Sequence, residues 1–213
     1  KIRLPKIGWI KMHENLRFSG NPLSVTISQE GHRWFASIIV DTIVDKQETF
    51  PKSEIGVDLG IKTLFTLSDG TEIQNPKALK NNMKRLKRWD RSISRKQNGS
   101  KNKQKLLLKR KKLHAKVANI RKDVLHKATS FITKTYSSIG IEDLNVKGLM
   151  SNKKMSKSIS DLGLFEIKRQ FLYKALLKGS KITIADRWYP SSKLCSVCGN
   201  KNETLALKDR KWN

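Results

Sequence analysis

Acidic side chains are scarce in this chain. Among 213 residues, 18 Asp and Glu stand against 45 Lys and Arg, giving a formal charge of +27. Such an imbalance points away from a basic partner and toward a polyanion. Cysteine is nearly absent too: two residues, Cys195 and Cys198, are too few for a disulfide framework and are spaced as a metal pair would be. No run approaches the roughly 20 apolar residues that a membrane-spanning helix needs, and the N-terminus does not read as a secretion signal. What is present in quantity, a hydrophobic content of 37%, suffices for a core, so the chain is not a disordered basic tail. The expectation is a cytoplasmic, nucleoid-associated protein that faces nucleic acid and not a membrane.

The charge is local. From Lys77 to Lys127 there are 20 Lys and Arg and only two acids, Asp90 and Asp123, a net +18. Two helical stripes run through this stretch, Leu79–Met83–Leu86–Ile93 and Leu106–Leu113–Val117–Ile120–Val124, in steps dominated by threes and fours. Gln97-Asn98-Gly99-Ser100 breaks the pattern between them, so an antiparallel helical hairpin is expected. Before it, Ser24–Ser28 and Trp34–Val40 read as strands joined by a turn at Gln29–His32, after an abrupt opening strand. Ile55–Leu59, Thr63–Leu67 and Glu72-Ile73 form a second strand group with a Ser68-Asp69-Gly70 turn. After the hairpin come a strand at Ser138–Ile141, a Lys- and Ser-rich loop at Asn145–Lys157, an amphipathic helix at about Ser158–Lys178 and a strand at Lys181–Ala185. Three strands, helices, strand, helix, strand is the order of an RNase H-like α/β domain, although other α/β folds share parts of it. The expected division is a partial β-barrel-like segment at 1–50, a nuclease-like domain at 51–185 with the hairpin inserted at 77–135, and a truncated zinc-binding insertion at 186–213.

Two carboxylates stand out. On a strand Gly56, Asp58 and Gly60 share one face and Ile55, Val57 and Leu59 the other. Asp58 is thereby flanked by empty space, and glycine inside a strand often marks close approach by a ligand or another backbone. Gly140 and Glu142 repeat the arrangement opposite Ile139 and Ile141. Neighbouring strands would bring Asp58 and Glu142 into one shallow site suited to divalent ions, since phosphodiester cleavage with two metals needs bridging carboxylates. The plain alternative is that each acid is a strand-end turn or cap residue. Asp186 lacks the glycine flanks and reads as structural; Asp143 should face away from Glu142.

Ile55-Gly56-Val57-Asp58-Leu59-Gly60 resembles the first RuvC-like motif of the TnpB (OrfB) family, and Ile141-Glu142-Asp143-Leu144-Asn145-Val146-Lys147-Gly148 resembles the second. Asp186–Lys193 running into Cys195-Ser196-Val197-Cys198-Gly199 is similar to the family's zinc-binding insertion, and Leu205–Trp212 to the stretch leading toward a second cysteine pair. The resemblance implies a bacterial insertion-sequence protein, named as a transposase, that cuts DNA in a RuvC-like domain under the guidance of an RNA; type V CRISPR nucleases are relatives. It carries the first catalytic Asp onto Asp58 and the catalytic Glu onto Glu142, with Mg²⁺ as their cofactor. It also implies a further Asp and a second CxxC beyond Asn213, leaving two of three carboxylates and half of a zinc site here, and weak cleavage or none by this chain alone. The alternative from the binding class is a cleavage-incompetent regulator of transposition.

Cys195 and Cys198, followed by Gly199, suit a zinc knuckle that supplies two of four ligands; a redox dithiol is the alternative. His13, His32, His114 and His126 lie far away without ligand spacing. In the hairpin the candidate nucleic-acid contacts are Lys84, Arg85, Lys87, Arg88, Arg91, Arg95, Lys109, Arg110, Lys112, Lys116 and Arg121, expected to meet phosphates of guide RNA and target DNA and not base edges. Trp89 reads as a packing residue of the helical seam.

Overall fold

The computed structural model describes residues 1–42, 52–190, 193–195 and 198–204. In chain order its elements are β1 (Ile2–Leu4), β2 (Gly8–Ile10), β3 (Asn21–Glu30), β4 (Arg33–Asp41), β5 (Lys52–Leu59), β6 (Thr63–Leu67), β7 (Glu72–Gln74), α1 (Ala78–Ser94), α2 (Lys101–Thr135), β8 (Tyr136–Glu142), α3 (Val146–Ser151), α4 (Ser156–Leu162), α5 (Leu164–Lys178) and β9 (Lys181–Ala185). The chain divides into two compact units, one of residues 1–47 with 78–120, the other of residues 48–77 with 121–213.

In the first unit β1 pairs with β2 and β3 with β4, both antiparallel, as two separate sheets among the described residues. The β3–β4 strands extend beyond the Ser24–Ser28 and Trp34–Val40 runs, to Glu30 and Arg33, so the turn shrinks to Gly31-His32. Of the expected stripes, Leu86 on α1 and Leu113 and Val117 on α2 are buried, and Ala78, beside the first stripe, is buried as well. Arg110 and Asp90 pair across them at 2.6 Å. The break falls where expected, and Ser100 opens α2 by accepting the Lys103 N–H at 3.3 Å, the usual service of a serine N-cap.

The second unit is built on a five-stranded mixed sheet in the order β7-β6-β5-β8-β9. β5, β8 and β9 are parallel; β6 and β7 are antiparallel to them. Alternation sends Ile55, Val57, Leu67, Ile139 and Ile141 to one face, where they are buried. Against that face pack α4, α5 and the C-terminal half of α2, through Leu125, Ala128 and Ile132, Ile159 and Leu162, and Leu164, Ile167 and Phe171. The spacing of threes and fours on α2 and α5 is what one buried helix stripe requires. Phe65 and Phe171 meet with ring centroids 5.7 Å apart, and each fully buried side chain of this size contributes about 1.5–3 kcal/mol. The result is an α/β fold with a mixed sheet and a helical insertion, consistent with RuvC-like architecture.

Three details differ from the sequence expectation. The strand expected at Ser138–Ile141 starts two residues earlier, because Tyr136 is buried and donates its hydroxyl to Asp69 Oδ2 at 2.6 Å. The helix expected over Ser158–Lys178 is two helices, broken at Gly163 with φ 70°, a conformation that disfavours side-chain-bearing residues. The Lys- and Ser-rich segment expected as a loop contains α3, capped by the Asn145 side chain accepting from the Gly148 N–H. Beneath the sheet, Lys174 ties α5 to α2. Its ammonium donates to Thr129 Oγ1 (2.7 Å), the His126 carbonyl (2.8 Å) and Ser130 Oγ (2.9 Å). Burial pushes this amine down to about 8, while its three close acceptors favour the charged form.

Candidate functional site

The register of the parallel pair decides where the two carboxylates stand. Gly56 lies opposite Gly140 and Val57 opposite Ile141. One residue further, Asp58 and Glu142 follow side by side on strands about 4.8 Å apart. Both belong to the sheet face opposite the buried one. Asp58 is exposed and Glu142 half-buried. The same row continues through Thr66, partner of Asp58, and Glu72, partner of Thr66, on one side. On the other side stands Ala185, partner of Glu142. Asp58 and Glu142 thus sit at the C-terminal ends of parallel strands, where open α/β sheets ordinarily hold their ligands.

The three glycines around these acids have different reasons to exist. A Cβ on Gly60 would stand 2.7 Å from the Thr63 carbonyl oxygen, so the chain itself forbids a side chain there. At Gly56 and Gly140 a Cβ would meet nothing closer than 3.7 and 3.8 Å. These two leave a clear floor beside the carboxylate row.

Asp143 turns away from the acid pair and is fully engaged. It accepts from Lys168 of α5 at 3.0 Å and from Arg187 at 2.5 Å. Those two hydrogen bonds hold its carboxyl below the usual carboxylate range. Asp186 closes a turn, accepting the Trp188 N–H on Oδ1 at 2.8 Å and the Tyr189 N–H on its carbonyl at 3.1 Å. Asp186 has the structural place expected from sequence, whereas the two cationic partners of Asp143 were not expected. Lys168 and Arg187 gave no signal there, since their role depends on a partner distant in the chain.

Divalent ions of the Mg²⁺ type take oxygen ligands, and two carboxylates on one face are the right donor chemistry. Among the described residues there is no group of three or more His, Cys, Asp or Glu placed to hold a metal. Cys195 and Cys198 form no disulfide with each other. They sit on a tight turn closed by an antiparallel bridge between Leu194 and Lys201, with the Cys195 N–H donating to the Asn200 carbonyl and the Gly199 N–H to the Cys195 carbonyl, each at 2.9 Å. Thiolates on such a turn are donors suited to zinc.

On the helices, the candidate phosphate contacts divide. Lys84, Arg85, Lys87, Arg88, Arg91 and Arg95 are exposed, as are Lys109, Lys112 and Lys116. Arg85 stacks its guanidinium 4.7 Å from the centroid of the half-buried Trp89. Arg110 is ion-paired with Asp90, and Arg121 with Asp161, each at 2.6 Å. The helical period shows a feature that charge counting missed. Lys101, Lys105, Lys109, Lys112 and Lys116, all exposed, follow one another at steps of four, four, three and four. They form one ridge about 22 Å long on α2.

The sequence profile of the OrfB/IS605 family, described as "probable transposase", matches residues 37–153, over half of the chain and both carboxylate motifs. The chain belongs to the TnpB/OrfB family of RuvC-like nucleases, relatives of Cas12f. A Cas12f1-like TNB domain profile matches residues 165–213. A Streptomyces pristinaespiralis protein, named as a proposed RNA-guided DNA endonuclease, is 37% identical over 95% of this chain and 50% of its own length. InsQ of Escherichia coli K12, named likewise, is 33% identical over all of this chain and 56% of its own length. The chain therefore spans about half the length of the curated relatives it matches. In three dimensions it is similar to a Cas12f1 chain from the cryo-EM structure of a Cas12f1–sgRNA–target DNA complex, with a TM-score of 0.50, 20% identity and coverage of 80% of this chain and 36% of that one. That likeness supports the family's fold.

Proposed function

We propose that the protein to which this chain belongs is an RNA-guided, metal-dependent DNA endonuclease of a bacterial mobile element, working in the cytoplasm at the nucleoid. The observation that carries the reading is the register that sets Asp58 beside Glu142 on the open face of the sheet. Asp58 and Glu142 would hold Mg²⁺, and bound Mg²⁺ supplies an activated water and stabilisation of the leaving oxygen in phosphodiester cleavage. The chain's own contribution is to fix two acids on rigid strands, to keep the adjoining floor clear at Gly56 and Gly140, and to hold Asp143 out of the site through Lys168 and Arg187. Cys195 and Cys198 would supply two of four zinc ligands in a finger-like insertion spanning 186–213. Residues 1–50 would contribute to a barrel-like segment and 51–185 the nuclease domain, interrupted by the hairpin at 77–135. The exposed lysines and arginines of that hairpin would follow the phosphates of guide RNA and target DNA, leaving sequence reading to base pairing. No helix among the described residues is long and apolar enough to cross a membrane.

A second reading is a regulator of transposition that binds without cutting. A cleavage assay of the complete protein with its element-derived RNA and Mg²⁺ separates the two. The nuclease reading expects cutting by the wild type and none by Asp58→Ala. Equal cutting by both ends it.

A further inference from the structure

We propose that Thr66 is the positioning residue for a divalent ion held at Asp58, its hydroxyl bonding the water shell of that ion; the proposal rests on the nuclease reading above. β6 runs antiparallel to β5, with Thr66 as the register partner of Asp58. The main-chain bonds on either side fix the kind of pair. Ser68 donates its N–H to the Gly56 carbonyl at 3.0 Å, and Gly60 donates to the Leu64 carbonyl at 3.2 Å. Hydrogen-bonded pairs recur every second residue along an antiparallel ladder, so Asp58 and Thr66 form such a pair, with Cα atoms about 5.5 Å apart. Opposed residues send their side chains to one face, here the open one. The hydroxyl therefore stands beside the carboxylate on a rigid strand.

Two hydroxyls stand on this face along β6 and the residue after it, and the fold treats them differently. Ser68 Oγ accepts the Gly56 N–H at 3.1 Å, which continues the ladder past the end of β6. The half-buried Thr66 makes no side-chain hydrogen bond among the described residues. Threonine suits a strand by its branched shape alone, but valine would give that shape without a polar group. On the other flank of the row, Ala185 stands beside Glu142 and offers no polar side chain. Ions of the Mg²⁺ type keep several of their waters. A hydroxyl both donates and accepts, so Thr66 can take a hydrogen bond from such a water and give one to the Asp58 carboxylate. Outer partners of this kind orient the ligand, and losing one typically costs about 10- to 100-fold in metal affinity.

The test is a Mn²⁺ titration of the 213-residue chain under electron paramagnetic resonance, with thermal melts in parallel. Thr66→Val, which keeps the strand-forming shape, should weaken Mn²⁺ binding about 10-fold or more with no loss of thermal stability. Thr66→Ser should bind as the wild type does, since it restores the hydroxyl. Ser68→Ala should melt earlier and keep the wild-type affinity. Unchanged affinity in Thr66→Val would overturn the proposal. So would a Thr66→Ser protein as weak as Thr66→Val, which gives the effect to packing, or equal weakening by Ser68→Ala, which gives it to strand geometry. If the wild type binds no Mn²⁺, or Asp58→Asn binds it unchanged, the carboxylate-pair reading itself fails. If those two behave as expected and Thr66→Val is silent, the role of Thr66 alone is lost.

Discussion

Replacing the α2 ridge residues Lys101, Lys105, Lys109, Lys112 and Lys116 by glutamine removes five exposed charges without touching the buried seam at Leu113 and Val117. Each neutralised phosphate contributes about 0.9 to the slope of log affinity against log salt for duplex DNA. Five contacts therefore account for a slope change of about 4.5. Between 50 and 200 mM salt that term alone is roughly a 500-fold fall in affinity, which the fivefold variant should no longer show. The protein should at the same time become slightly more stable. Four like-charged neighbours along the ridge are relieved, each at about 0.2–0.5 kcal/mol. Arg110→Gln and Arg121→Gln are the contrast: their ion pairs with Asp90 and Asp161 predict lower stability and an unchanged slope. Salt titrations of a fluorescent duplex, with thermal melts in parallel, read both quantities. A fivefold variant that keeps the wild-type slope would refute the ridge as a phosphate track.

Two further outcomes follow from single contacts. Gly60→Ala should destabilise the protein by about 1–3 kcal/mol in urea melts, because the new methyl meets the Thr63 carbonyl; Gly140→Ala, whose methyl would make an ordinary van der Waals contact with the Ile55 carbonyl at 3.8 Å, should be neutral or stabilising by up to about 1 kcal/mol. Hydrogen bonds from Arg169, opposed by burial, hold the Glu166 carboxyl at about 2 against an ordinary 4.5. A depressed folded-state value means stability that is fully present above 4.5 and lost as pH falls toward 2. After solvent screening the term is about 1 kcal/mol, and Arg169→Gln should flatten that part of an acid unfolding curve.

Much of this architecture was readable because it is periodic. Alternation at Ile55–Leu59 and Ile139–Ile141 gave both strands and the shared face of Asp58 and Glu142, and the parallel register agrees with that reading. Threes and fours gave both hairpin helices. What resisted was whatever depends on pairings across the chain. Tyr136 lengthens its strand because Asp69 waits 67 residues away. The ion pairs of Arg110 with Asp90 and of Arg121 with Asp161 give no sign in the sequence. Gly163 splits its helix with φ 70°, although one glycine in a helical pattern is ordinarily tolerated. Gly60 looked like the companion of Gly56, and only the nearby Thr63 carbonyl shows its different cause. The Leu205–Trp212 stretch lies outside the described residues.

The claim that Asp58 and Glu142 act on the same ions is tested most directly by titrating the chain with Mn²⁺ under electron paramagnetic resonance, for wild type, Asp58→Asn and Glu142→Gln. Either substitution should abolish the same bound ion, and the double variant should lose nothing more. An Asp58→Asn protein that binds Mn²⁺ as the wild type does, or two variants that each lose a separate ion, would contradict it.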